Sequence, residues 1–196
     1  MNKWNKIFEE GVNYIPLNNI LLNKILNRIK KIAPNNQLNS MIDIGCGTGK
    51  ALLKFSERGF NVSAIDISEV AIEKATELLE KAKIDNFNLS ILDSCEVSSI
   101  TENFDIVFSK FVYAFIGDKE KFLENLKGLM HKDSIFILMT AVLHDDINYL
   151  AEDKPQSAIN FEETKRLLEK TYSSVEIFQH NYFSERGDVV TFIIKK

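Results

Sequence analysis

Residues 41 to 50 read MIDIGCGTGK, with glycine at 45, 47 and 49 directly after an apolar run that carries one carboxylate, Asp43. Glycine at every second position makes poor strand and poor helix, so its use lies in the backbone: angles closed to other residues, and contact-distance approach of bare main chain to a ligand. If a helix follows, its unpaired N–H groups and positive dipole end face the same ligand. Two further carboxylates close strand-like segments downstream, Asp66 in AIDIS and Asp93 in LDSCE. Each can accept hydrogen bonds from a ligand, and each can equally cap the element that follows. The two cysteines, Cys46 and Cys95, have neither CxxC nor Cys/His spacing, so no zinc site, disulfide framework or nucleophilic thiol is expected.

Positioning such residues requires a scaffold, and the sequence supplies one. Short apolar runs lie at 40–45 (SMIDIG), 61–67 (NVSAIDI), 87–93 (FNLSILD), 104–109 (FDIVFS) and 134–142 (SIFILMTAV). Between them fall helical patterns: GKALLKFSERG, closing on Gly59; SEVAIEKATELLEKAKI, with Ser68 as N-cap and Ala71, Ala75, Leu78 and Ala82 on one face; and DKEKFLENLKGLM. Strand and helix in alternation predict right-handed crossovers and a parallel sheet covered on both faces. After the helix-like FEETKRLLEKTY come SVEIFQHNYF and VVTFIIKK, joined by SERGD, which predicts a terminal antiparallel hairpin. Residues 1–37 carry two helical patterns, one with Trp4, Ile7, Phe8 and Val12, the other with Ile20, Leu21, Ile25, Leu26, Ile29 and Ile32.

The expectation is one domain over 1–196, a helical cap or lid at 1–37 and an α/β core at 38–196. The length of 196 residues, with 45% hydrophobic and 27% charged, suits a single packed core. A net charge of -4 argues against a chain that covers phosphate backbone. No run approaches the ~18 apolar residues of a membrane span, and MNKWNKIFEE lacks the apolar core of a signal peptide, so no membrane partner and a cytoplasmic location are expected.

Spacing separates the nucleotide-binding loops that use glycine in this way. A dinucleotide fingerprint starting at Gly45 would place its third glycine at position 50, which is lysine, and the P-loop ending is missing. The pattern D-x-G-x-G-x-G instead resembles the first motif of the class I S-adenosylmethionine-dependent methyltransferases. That resemblance covers about residues 38–196 and implies a three-layer, Rossmann-like, mainly parallel seven-stranded sheet with an antiparallel C-terminal hairpin. It implies that Asp43, Gly45, Cys46, Gly47 and Gly49 line the cofactor's methionine end, that Asp66 and Ile67 meet the ribose, and that Asp93 and Ser94 meet the adenine. Ser109, closing the fourth strand, completes the implied cofactor set, and Asp105 matches an acidic position frequent in the family and is expected to be structural.

Methyl transfer from a sulfonium needs alignment and dryness more than a covalent catalyst. Candidates for proton transfer are His144, Tyr113 and Tyr14, from a set that also includes Lys110, Asp145 and Asp146 at strand ends or on the N-terminal segment. Amino-directed nucleic-acid methyltransferases resemble one another in [DNS]-P-P-[YFW] after the fourth strand, where this chain reads SKFVYAF, which argues against a base amine as acceptor, and no nucleic acid is expected as partner. Ser109 and Lys110 stand where metal-dependent relatives place an Asp, so no metal is expected. The acceptor expected is a small molecule, enclosed by 1–37 and by the segment 141–160. A domain that binds the cofactor without catalysis, as a sensor or partner subunit, and an NAD-dependent oxidoreductase are the competing expectations. Oligomeric state and acceptor identity are open at this level.

Overall fold

In the computed structural model, which describes residues 2–12, 16–34, 37–143, 158–184 and 187–196, the apolar runs become strands. They are β1 (Ser40–Ile44), β2 (Asn61–Asp66), β3 (Phe87–Ile91), β4 (Phe104–Lys110) and β5 (Met130–Leu143), then β6 (Ala158–Asn160), β7 (Ser174–Ser184) and β8 (Gly187–Lys195). The helices are α1 (Lys3–Glu9), α2 (Asn19–Ile32), α3 (Lys50–Ser56), α4 (Glu69–Lys81), α5 (Lys119–Lys127) and α6 (Phe161–Thr171).

The sheet runs β3-β2-β1-β4-β5-β8-β7. β1 to β5 are mutually parallel, while β8 lies antiparallel to both β5 and β7. The chain therefore steps outward from β1 to β3 and returns to place β4 on the other side of β1. That reversal opens a crevice beyond the carboxyl ends of β1 and β4, where open α/β sheets bind ligands.

Alternation along each strand feeds two cores. Met41, Ile106, Phe108, Ile135, Ile137 and Ile193 pack with α2, α3 and Leu79 of α4. Ile42, Ile44, Val107, Phe136, Leu138 and Phe192 pack on the opposite face with Phe122, Leu123 and Leu126 of α5 and Leu168 of α6. Helix starts follow side-chain caps: Asn18 accepts from Leu21 N (2.8 Å), Ser68 from Ala71 N (3.1 Å), Asp118 from Lys121 N (2.9 Å) and Asn160 from Glu163 N (2.7 Å).

Four expectations change. The sheet has eight strands, because Ala158–Asn160 adds a short β6 parallel to the end of β5 (Ala141↔Ala158 to Leu143↔Asn160). Three residues are too few for periodicity to reveal. The buried stripe of α4 is Ala71, Ala75 and Leu79, spaced by four, and not Leu78 or Ala82. In α2 the stripe is Leu21, Leu22, Ile25 and Ile29, while Ile20 is 71% exposed. Finally, α2 is no lid: Leu22, Ile25 and Ile29 are wholly buried against the sheet, so among the described residues of 1–37 only α1 and Pro16–Leu17 reach the crevice.

Asp105 lies at the far, amino end of β4. Its carboxylate accepts from Asn39 N, Ser40 N and Ser40 Oγ (each 2.8 Å) and contacts His131 Nε2 (3.1 Å), tying β1, β4 and β5 together. Among the described residues no helix is long and apolar enough to cross a membrane.

Candidate functional site

The crevice holds a cavity of about 230 Å³. The glycine loop forms one wall, with φ of +79° at Gly45, +53° at Gly47 and +74° at Gly49. Gly45 N and Cys46 N both donate to Ile65 O (2.8 and 3.1 Å), which folds the loop back over β2. A Cβ on Gly45 would lie 2.3 Å from Val112 Cγ2, and one on Gly49 would lie 2.8 Å from Ala75 Cβ and 3.0 Å from its Cα. Two of the three glycines are thus demanded by the protein's own packing, which corrects the expectation that ligand approach explains all three. Gly49 is buried beneath α4 and does not line the cavity, whereas Gly45, Cys46 and Gly47 do. At Gly47 a Cβ would meet the Phe8 ring at 3.4 Å, an ordinary contact.

Asp66 is the hinge of this wall. Its Oδ2 accepts from Gly47 N (2.8 Å) and its Oδ1 from Ser68 N (2.9 Å), while the residue lines the cavity. Burial raises its pKa, and the N–H groups of Ser68, Gly47 and Ile67 pull the other way. The carboxylate is oriented before any ligand arrives, with lone pairs left to accept more. Ile67 lines the cavity beside it and is 40% exposed.

Asp43 and Lys110 form the inner wall. Asp43 is 2% exposed, and its Oδ1 has no hydrogen-bond partner among the described residues. Burial raises its pKa, Lys110 opposes the rise and Asp66 adds to it. Burial lowers the pKa of Lys110, countered by Asp43 and reinforced by Lys50. Cys46 is pushed well above an ordinary thiol by burial, then by Asp43 and Asp66, which leaves it protonated and non-nucleophilic.

Asp93 and Ser94 line the opposite end. Asp93 caps the 3-10 turn Ser94–Ser99 by accepting from Cys95 N (2.8 Å), so the cap and the cavity wall are the same residue. Cys95 is exposed at the rim.

An aromatic roof covers the cavity. Trp4 of α1 meets Phe115 edge-on at 4.9 Å and Phe8 at 6.4 Å between ring centroids. α1 is tethered beside Asp66: Asn2 Nδ2 donates to Ile67 O (3.1 Å), Ser68 Oγ donates to Asn5 Oδ1 (2.7 Å) and Lys74 Nζ donates to Phe8 O (2.5 Å).

Besides Gly49, two further expected site residues are not here. Ser109 is wholly buried with Oγ donating to Ile44 O (3.4 Å), because strand alternation turns it away from the cavity. Tyr113 is also wholly buried, packed on Phe122 at 6.2 Å, and burial raises its phenol pKa. It is in no position to exchange protons with a ligand in the cavity. His144, Tyr14, Asp145 and Asp146 lie outside the described residues. In the other direction, Phe111, Val112 and Phe115 line the cavity without having been expected. Phe111 adopts φ +60°, a turn that its side-chain type does not advertise. The apolar run FVYAF carried the only available signal.

A family model described as "Methyltransferase domain" matches residues 35–181, well over half of the chain. The ubiquinone biosynthesis O-methyltransferase of Rickettsia typhi is 28% identical over 140 residues, covering 71% of this chain and 55% of that protein. The EEF1A lysine methyltransferase 2 of Danio rerio is 28% identical over 108 residues, 50% of this chain and 46% of that protein. This chain therefore spans about half the length of the curated relatives it matches. Among solved structures, TehB of Haemophilus influenzae superposes with a TM-score of 0.67 at 20% identity, over 99% of this chain and 67% of that one, a likeness of fold. With the D-x-G-x-G-x-G loop, Asp66 and Asp93 gathered on one cavity of this fold and the family model spanning them, the chain belongs to the methyltransferase domain family, in its class I, S-adenosylmethionine-dependent form.

Proposed function

We propose that this chain binds S-adenosylmethionine in the cavity, transfers its methyl group to a small-molecule acceptor by in-line displacement, and releases S-adenosylhomocysteine. The observation that carries the reading is the joint presence, on one cavity, of a carboxylate oriented by the glycine loop and a buried carboxylate oxygen with no partner among the described residues. An unfilled buried acceptor is costly, and a ligand ammonium would supply what it lacks. The residues present therefore fit the cofactor. Asp43 would take its amino group, Asp66 its ribose hydroxyls and Asp93 with Ser94 its adenine.

When bound, S-adenosylmethionine supplies a methyl group already activated on sulfur, leaving the protein to bind, orient and exclude water. The aromatic roof of Trp4, Phe8 and Phe115 excludes water and encloses a compact acceptor, which supports a small molecule over a macromolecule. The relative named for ubiquinone biosynthesis agrees with that reading, whereas the lysine methyltransferase of similar identity does not.

Calorimetric titration with S-adenosylmethionine and S-adenosylhomocysteine, with NAD as control, tests the first half. Micromolar binding of the first two and none of NAD is expected, and binding of NAD alone overturns the reading. Incubation with the cofactor and small phenols, amines and thiols, followed by mass spectrometry, tests the second half. Cofactor binding without methylation of any small acceptor favours a sensor or partner subunit.

A further inference from the structure

The inner wall of the cavity carries an acidic and a basic side chain from neighbouring strands. β1 and β4 pair with Asp43 opposite Phe108, so Lys110, two residues on, projects from the same face of the sheet as Asp43. Both line the cavity, and their charges interact. Asp43 is 2% exposed, and its buried Oδ1 has no hydrogen-bond partner among the described residues. Lys50, the other cation on this wall, is exposed at the start of α3.

A wall of this kind suits a ligand group that is itself a zwitterion. An α-ammonium beside Asp43 and an α-carboxylate beside Lys110 would match both charges at once. A pyrophosphate would meet Lys110 but set its own charge against a buried carboxylate. Lys110 also occupies the strand end at which Ser109 and Tyr113 turn away from the cavity, which leaves it the polar residue of β4 that faces the ligand.

We propose that Lys110 is a specificity-determining residue that reads the carboxylate of the cofactor's amino-acid end, while Asp43 reads the adjacent ammonium. The inference rests on the cofactor reading above and assigns to Lys110 a role that the glycine-loop motif does not contain. Its consequence is selectivity: decarboxylated S-adenosylmethionine, which keeps the ammonium and sulfonium but lacks the carboxylate, should bind less well.

The test is calorimetric titration of the full chain with S-adenosylmethionine and with its decarboxylated analogue, in the wild type, in Lys110→Met and in the double variant Lys110→Met/Asp43→Asn. The wild type should favour S-adenosylmethionine by about ten- to a hundred-fold, the range of one charge-assisted hydrogen bond. In Lys110→Met that preference should collapse toward one, through lost affinity for S-adenosylmethionine and none for the analogue. Because this variant leaves Asp43 without its cationic neighbour, thermal melting checks its fold. The double variant, which removes both charges, should show the same loss of preference together with weaker binding of both ligands. An unchanged preference in folded Lys110→Met, or an equal loss for both ligands, overturns the assignment while leaving cofactor binding intact. Failure of the wild type to bind S-adenosylmethionine overturns the cofactor reading itself.

Discussion

A side chain on Gly45 would drive its Cβ to 2.3 Å from Cγ2 of Val112, so the glycine loop and the segment after β4 are cut to fit one another. Gly45 also holds φ +79°, which costs an L-residue about 1–2 kcal/mol. Overpacking adds about 1–3 kcal/mol. Gly45→Ala should therefore destabilise by the sum of both, and Val112→Ala in the same chain should relieve only the second. A urea-unfolding cycle of the two variants measures the coupling, and strict additivity would show that the contact carries no energy.

Asp66 serves the loop and the ligand with one carboxylate. In Asp66→Ala the N–H groups of Gly47 and Ser68 lose their acceptor, and the cofactor loses its ribose contacts. Cofactor affinity should fall by about 2–4 kcal/mol, the scale of two charge-assisted hydrogen bonds. Asp66→Asn, which keeps the shape and one acceptor oxygen, should hold the loop yet bind in between. Unchanged affinity in a folded Asp66→Ala protein would remove this cavity from the cofactor's path.

The parallel strands were legible because each is a nearly continuous apolar run, and the loop because glycine spacing is a property of sequence alone. The side-chain directions at strand ends were not. Ser109 and Lys110 are adjacent, and which of them faces the cavity depends on the register of β4 against β1, a matter of one residue. Tyr113 is misleading for the same reason, since the positive φ at Phe111 reverses the chain before it. The role of α2 was hidden because an amphipathic helix has the same pattern whether it docks on a sheet or closes over a site.

The buried hydroxyl of Tyr113 has no hydrogen-bond partner among the described residues. An unsatisfied buried donor costs more than the ring's packing gains from it, so Tyr113→Phe should leave stability unchanged or raise it by about 1 kcal/mol. Methyl-transfer rate should be unaffected. A large fall in rate with cofactor affinity intact would return Tyr113 to the reaction.

Two aspartates give the pH profile opposite slopes. Burial raises the pKa of Asp43, with Lys110 opposing and Asp66 adding, so the folded protein holds a proton that the unfolded chain has released. Stability must then fall as pH rises from about 4, where an unfolded Asp ionises, until folded Asp43 has ionised as well. At Asp105 burial also raises the pKa, but hydrogen bonds from Asn39, Ser40 and His131 outweigh it and the net shift is downward. Its contribution is present above the unfolded value and is lost as pH falls through the folded one. Asp66, whose pKa burial also raises, adds to the upper limb. Urea unfolding from pH 3 to pH 8 should show both limbs, and Asp43→Asn should reduce the slope of the upper limb without abolishing it and leave the lower limb unchanged. An ammonium placed beside Asp43 favours the ionised form, so cofactor binding near neutrality should release protons, seen as a binding heat that varies with buffer.

Trp4 is the single tryptophan of the sequence and forms part of the cavity roof, edge-on to Phe115 at 4.9 Å and 5.2 Å from Lys3 Nζ. Its emission therefore reports on the site without a label. Filling the cavity replaces water against the indole by ligand, and saturating S-adenosylhomocysteine should shift or quench the emission with the same midpoint that calorimetry gives. Trp4→Phe should abolish that signal while changing affinity by less than about tenfold, since Phe8 and Phe115 keep the roof apolar. Calorimetric binding with no change in wild-type emission would mean that α1 does not lie over the ligand, and the tethers of Asn2 and Asn5 to Ile67 and Ser68 would then hold a helix with no part in closing the site.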